Sequence, residues 1–378
     1  MPVSHQSKPY WQSGCGRATI YVGDNIDVMA QIETNQFHAV VTDPPYNLAF
    51  DVGQVKGKWD VCGSGSEFQK WFEDRANEIL RVARPGAHLL SFGGTRTWHR
   101  MTCAVEDAGW EIRDCLMWIY SSGYPKGRDI SKDIDKLLGF DREVVDVAKM
   151  NNTTKVRPGF TGAAHSGENA GSTRMVDITV PYTEAAVEWN EWNTTLKPAW
   201  EPILIARKQP IGSVAQNTLD HGCGGINVGD CRVVSNGQWP ANLVHDGTDE
   251  QMCRYFYTAK AGLNTDNRPH GRGAATHHPT VKPLDLMQWL VRLVCTPGGV
   301  VLDPFMGSGS TGCAAIVEGM LFAGIEQSVE YADIAIGRLK LALDSKPTSE
   351  TPKLPSSSIH KTITTYTPPP STGRLRGT

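Results

Sequence analysis

The 378-residue sequence has no apolar run of about 18 residues, the length a membrane-spanning helix needs. Its opening stretch, MPVSHQSKPYWQSGCGR, has no apolar core and does not read as a signal peptide. The expectation from both absences is a cytoplasmic protein with no membrane partner. Nine cysteines are present, but none form a Cys-x-x-Cys pair, which argues against a zinc ribbon or a redox motif. Cys223 and Cys231 flank a glycine-rich turn with His221 nearby; without ligand spacing they read as buried thiols, and no metal is expected. A basic excess is also missing: net charge is −3 and the pI is near 6.4, which by itself argues against nucleic-acid binding. No internal repeat of about 20–50 residues is visible.

What is there is a βαβ rhythm. ATIYVGDNIDVMAQI reads as strand, Gly-Asp turn and helix, and FHAVVTDPPY as a second strand. GSEFQKWFEDRANEILRVARPG is a helix by the spacing of Phe68, Trp71, Phe72, Ile79 and Leu80, with Pro85-Gly86 expected to stop it. AHLLSFGG, a helix at TRTWHRMTCAVEDAGW and a strand at EIRDCLMWIY continue the alternation. Such alternation builds a mostly parallel sheet, hence an α/β fold. Regularity then lapses. Residues 121–190 show one helix, around Ile130 to Leu138; a strand returns near 201–208, and residues 209–280 carry turn signals. It resumes with a helix at KPLDLMQWLVRLVC, then strand, glycine loop and helix, a strand LFAGIEQ and a last helix YADIAIGRLKLAL. Residues 345–378, rich in Ser, Thr, Pro and Lys, are expected to be a disordered tail.

In VVLDPFMGSGSTGCAA, Gly307, Gly309 and Gly312 spell G-x-G-x-x-G between a strand and a helix, and Glu326 ends the next strand, 23 residues after Asp303. No Lys follows the glycines, so this is not a P-loop. A nicotinamide dinucleotide and S-adenosylmethionine both suit such a loop. Asp303 at its start would repel a pyrophosphate but suit the ammonium of a methionine moiety, which favours the second.

The strand in VVTDPPYNLAF stops because Pro44 and Pro45 lack a backbone donor and fix φ. The stop places Asp43 and Tyr46 at a strand's carboxyl end, where open α/β sheets bind ligands. If the substrate is an exocyclic amino group, its lone pair is delocalised into the base and must be freed. Asp43 can accept one amino hydrogen and the Pro44 carbonyl the other, with Pro45 keeping the turn rigid. Tyr46 offers a flat ring on which an extruded base can stack.

DPPYN and DPFMGSGSTG together resemble the amino-group DNA methyltransferases that modify adenine-N6 or cytosine-N4. The catalytic motif precedes the cofactor loop, as in the β group; HPTVKP resembles the segment before that group's first cofactor-side helix, and KPAWEPILIARK and HGCGGINV resemble segments of phage and prophage members. The resemblance implies a Rossmann-like, S-adenosylmethionine-dependent methyltransferase sheet, circularly permuted, with an irregular target-recognition insertion. Its parts would be an N-terminal arm (1–17), a catalytic half (18–120), a variable region (121–277), a cofactor half (278–344) and the tail. It implies catalytic roles for Asp43, Pro44, Pro45 and Tyr46. Cofactor contacts would come from Asp303, Phe305, Gly307, Gly309, Glu326 at the ribose, Asp24 near the adenine and Lys282 at the carboxylate. Asp24 is also a good helix cap, which explains it about as well. Double-stranded DNA becomes the implied partner, in a bacterial host or for a phage. From Gln251 to Lys282 five basic residues face one acid, Asp266, and Arg254, Lys260, Arg268 and Arg272 become candidate phosphate contacts. A homodimer and a cognate restriction enzyme are both compatible with the resemblance. Asp at the first motif position goes with adenine in this family, so adenine-N6 is expected ahead of cytosine-N4. A nicotinamide-dependent oxidoreductase and a catalytically dead DNA-binding protein are the competitors from other classes.

Overall fold

The computed structural model describes residues 8–48, 60–121, 127–151, 173–233, 237–247, 251–252, 256–258 and 282–344. Among these, strands β1 (Trp11–Gln12), β2 (Ala18–Val22), β3 (Phe37–Thr42), β4 (Ala83–Phe92), β5 (Glu111–Ile119), β6 (Val144–Asn151), β7 (Thr173–Thr179), β8 (Trp200–Arg207), β9 (Leu243–His245), β10 (Tyr257–Thr258), β11 (Val300–Asp303) and β12 (Leu321–Glu326) follow in chain order. Helices α1 (Asn25–Met29), α2 (Gly65–Val82), α3 (Trp98–Asp107), α4 (Ile130–Leu137), α5 (Glu184–Glu188), α6 (Val214–His221), α7 (Leu284–Val294), α8 (Ser310–Val317) and α9 (Val329–Asp344) connect them.

Ten strands form one sheet in the order β1-β2-β12-β11-β3-β4-β8-β5-β9-β10. The consecutive pairs from β2 to β4 in that order are parallel, and β8 runs antiparallel between β4 and β5. Alternation along the strands feeds two cores, as the pleat requires. Ala39, Val41, Leu90 and Phe92 face α7, α8 and α9, whereas Val40 and Leu89 face α1, α2 and α3. The result is a Rossmann-like α/β sandwich.

Helix α2 shows why the local signals were readable. Ser64 caps it and Glu67 reciprocates, a full capping box, and Phe68, Phe72, Ala76 and Ile79 are buried along one face. Its end differs from expectation. The helix stops at Val82, and Pro85-Gly86 lies inside β4. There the pairing with β3 jumps from Phe37↔Ala83 to Ala39↔His88. A proline and a glycine with φ of 81° are tolerated at such an irregularity because the ladder is already interrupted.

Other differences lie in the irregular stretches. A two-stranded β6–β7 ladder and the short α5 occupy the insertion after β5, and α6, β9 and β10 lie between β8 and α7. Trp11–Gln12, within the stretch read as an arm, adds an antiparallel edge strand to β2. The tail from 345 onward lies outside the described residues.

The topology has one consequence that matters for function. β3, from the start of the chain, pairs in parallel with β11, from near its end. Their carboxyl ends are therefore neighbours, and Thr42 Oγ1 donates to Asp303 Oδ1 at 2.7 Å. DPPY and the glycine loop leave the sheet side by side.

Candidate active site

The glycine loop is held by backbone geometry and two side chains. Gly307 and Gly309 have φ of 52° and 81°, a left-handed region that costs other residues energy. The Gly307 N–H donates to Glu326 Oε2 at 2.8 Å, and Ser328 N–H donates to Glu326 Oε1 at 2.9 Å. Burial pushes the pKa of Glu326 up, tempered by these donors. From α9 the buried Arg338 straps the loop through the Ser308 carbonyl (2.6 Å) and the Ser308 and Ser310 hydroxyls. Asp303 is 2% exposed. Burial raises its pKa to about 6, against hydrogen bonds from Thr311, Thr42 and the Phe305 N–H.

A cavity of about 390 Å³ opens over this loop. Its walls include Asp303, Phe305, Gly307 and Glu326, with Asp24 and Asn25 at the start of α1. Helix α2 contributes Trp71 and Arg75, whose guanidinium lies 3.9 Å from the Trp71 ring centre. Phe305 packs against Trp71 and Phe72. Asp24 caps α1 through Ile26 N–H and pairs with Arg75 at 3.3 Å, so the cap and the cavity wall are one residue. Gly309 does not line the cavity. It caps α8 and sits so close to α9 that a Cβ would fall 2.9 Å from the Ala335 Cβ.

Asp43, Pro45 and Lys282 complete the same wall. Behind it lies a compact ionic cluster. Tyr46 Oη is 2.7 Å from Asp43 Oδ1 and 3.0 Å from Glu201 Oε2, sharing its single hydrogen between two carboxylates. Lys282 Nζ donates to Asp43 Oδ2 at 2.7 Å and pairs with Glu201 at 3.3 Å. The ammonium lies 4.8 Å from the Phe92 ring centre and 5.4 Å from that of Tyr46. Tyr120 Oη donates to Glu201 Oε1 at 3.3 Å. Burial works against the charge of Lys282, but the carboxylates of Asp43 and Glu201 outweigh it and hold its pKa above the ordinary lysine value. Burial, with the same two carboxylates, raises that of Tyr46 well above the ordinary phenol value. The tyrosine stays protonated and the lysine charged.

The structure thus brings Asp43, Pro45, Asp24, Asp303, Phe305, Gly307, Glu326 and Lys282 to one cavity, with Tyr46 directly behind Asp43 and Pro44 buried beneath. Lys282, expected at the cofactor's carboxylate, places its ammonium on Asp43. Arg254, Lys260, Arg268 and Arg272 lie outside the described residues. Cys223 and Cys231 are buried in different hydrophobic clusters, and the Cys223 thiol donates to the Pro85 carbonyl at 3.1 Å. Sequence reasoning missed Glu201, Trp71, Arg75 and Arg338. Trp71 and Arg75, four residues apart on a helix, carried a usable signal; Glu201 and Arg338 read as an ordinary strand acid and helix cation.

The chain is similar to the type II methyltransferase M.HindIII of Haemophilus influenzae, 24% identical over 360 residues that span 85% of this chain and 94% of that one. A shorter stretch of 66 residues is 44% identical to the DNA adenine methyltransferase YhdJ of Escherichia coli, 18% of this chain and 22% of the relative. Among solved structures, the cytosine-N4-specific PvuII DNA methyltransferase aligns with a TM-score of 0.48 at 14% identity, over 91% of this chain and 92% of that one. The M1.HpyAVI–SAM complex aligns at 0.42 and 17% identity, over 85% and 99%. Residues 37–337 match the DNA methylase family of N6 and N4 amino-group enzymes, and the chain belongs to that family.

Proposed function

We propose that this protein methylates the exocyclic N6 of adenine in double-stranded DNA, at a base extruded from the helix. The observation that carries the reading is the shared cavity: the acid of DPPY and the acids of the glycine loop line one wall. S-adenosylmethionine fits that cavity by the chemistry of its walls. Asp303 suits the ammonium, Glu326 the ribose hydroxyls, and Phe305 with Trp71 the adenine face. When bound, the cofactor supplies an electrophilic methyl group on a sulfonium.

The chain's own residues do the rest. Asp43 accepts a hydrogen of the target amino group, which draws nitrogen electron density out of the base ring. As the nitrogen gains the methyl group it loses one proton, which Asp43 on the cavity wall is placed to take. Both Asp43 oxygens already accept a hydrogen bond, from Tyr46 and Lys282, but a carboxylate has about four lone-pair positions, so room remains. Those two bonds aim the carboxylate, and positioning supplies much of the rate in a displacement of this kind. The Tyr46 ring, fixed at its hydroxyl end, is the stacking surface for the flipped base.

Adenine is favoured by Asp43 at the first motif position and by the likeness to an adenine methyltransferase over 66 residues. The cluster's chemistry would serve cytosine-N4 as well. Incubating the protein with S-adenosylmethionine and unmodified DNA, then separating the nucleosides by mass spectrometry, tests the reading. N6-methyladenine is expected; N4-methylcytosine would overturn the choice of base, and no methylated nucleoside would overturn the activity. We propose that its recognition surface draws on the insertion after β5 and on the basic residues between Gln251 and Lys282. A cognate restriction enzyme remains compatible with this reading. No helix among the described residues is long and apolar enough to cross a membrane.

A further inference from the structure

We propose that Asp60 is a positioning residue that holds the DPPY loop in its working shape. The inference rests on the assignment of Asp43 and Tyr46 above. After β3 the chain has an unusual backbone problem. Pro44 and Pro45 have no N–H to anchor the loop, so its first available donors are those of Tyr46 and the residues after it. Asp60 takes two of them. Its Oδ1 accepts from the Tyr46 N–H at 2.7 Å and its Oδ2 from the Leu48 N–H at 3.0 Å. Asn47 between them has φ of 55°, a left-handed conformation. Loop N–H groups converging in this way form a concavity that binds anions. Here the anion is a carboxylate of the same chain, 1% exposed.

Three further hydrogen bonds stake the loop. The Asn47 side chain bridges back to the segment just after Asp60: its Oδ1 accepts from Cys62 N–H at 2.7 Å and its Nδ2 donates to the Gly63 carbonyl at 3.0 Å. Thr97 Oγ1 donates to the Tyr46 carbonyl at 2.6 Å. Tyr46 is thus held at its N–H, its carbonyl and its hydroxyl. The first of these depends on the Asp60 carboxylate, which does not line the cofactor cavity. Asp60 therefore acts on the reaction through the position of Tyr46 and Asp43, which share a hydrogen bond of 2.7 Å.

The test uses the full-length chain with Asp60→Asn, which keeps volume but replaces one acceptor by a donor facing an N–H. Three quantities are read: S-adenosylmethionine affinity, single-turnover methyl transfer per folded molecule, and amide exchange over the peptide containing Tyr46 and Leu48. Cofactor affinity should stay within about twofold. Transfer should fall about 10- to 100-fold, the scale of a misplacement of about 1 Å. Exchange at that peptide should quicken. A purely packing role would leave Asp60→Asn at the parental rate with unchanged exchange, which overturns the proposal; so would a loss of cofactor binding as large as the loss of transfer. Should Asp60→Asn not fold, Asp60→Ser, with a single acceptor, is read in the same way. Asp43→Ala runs beside them. If it transfers methyl groups at the parental rate, the catalytic assignment fails; if it is inactive while Asp60→Asn is not, only the role of Asp60 does.

Discussion

Replacing Lys282 by Met removes one charge while keeping nearly the same volume, and the structure says what should follow. The ammonium sits 2.7 Å from Asp43 and 3.3 Å from Glu201, with its side chain 9% exposed. At an effective dielectric of about 20 these two contacts are worth roughly 6 and 5 kcal/mol of attraction, most of it offset by the cost of desolvating three ions. Removing one partner of such a buried set costs about 3–5 kcal/mol, because two carboxylates remain without their counter-charge. Asp43 also loses the hydrogen bond from the ammonium that aims its carboxylate. Losing one charge-assisted hydrogen bond of about 1.5–3 kcal/mol corresponds to roughly 10- to 150-fold in rate. Single-turnover transfer of labelled methyl groups is the assay. A Lys282→Met protein with the parental rate would refute the claim that the lysine aims Asp43 for the reaction.

Three other outcomes are expected. Cofactor affinity should fall as pH drops from 7 to 5, because the Asp303 pKa of about 6 leaves a neutral carboxyl that cannot pair with an ammonium; pH-independent calorimetric affinities would contradict this. Gly309→Ala should lower the melting temperature, since a left-handed φ costs roughly 1–2 kcal/mol and a Cβ 2.9 Å from Ala335 adds about 1–3 kcal/mol of overpacking; an unchanged melting curve would show that α9 yields freely. Tyr46→Ala should reduce transfer more than Tyr46→Phe, which loses only the hydroxyl's bonds to Asp43, Glu201 and Lys282; equal damage would shift the role from ring to hydroxyl.

Contiguous features were legible. DPPY and DPFMGSGSTG each carry their chemistry within a few residues, and the strand, glycine loop and helix around Gly307 follow from local rules. The capping box at Ser64 marks the start of α2 just as plainly. What was not legible is pairing across the chain. Glu201 meets Tyr46 from 155 residues away, and Lys282 meets Asp43 from 239. Both contacts exist only because β8 reverses between β4 and β5, and because β11 lies beside β3. Without those pairings Lys282 had no better reading than a cofactor contact. The end of α2 was misjudged for a related reason. Pro85-Gly86 is a helix stop in isolation, but the β3–β4 register jump uses it inside a strand.

The most direct test of the account concerns Asp43, the one carboxylate among the described residues that touches both the cavity and the cluster behind it. S-adenosylmethionine binding and transfer of its labelled methyl group to unmodified DNA should be measured on the parent and on Asp43→Ala. The account predicts parental cofactor affinity within about twofold and transfer reduced by at least about 1,000-fold, beyond the loss of a single oriented donor or acceptor. Transfer at the parental rate, or cofactor binding lost together with transfer, would contradict it.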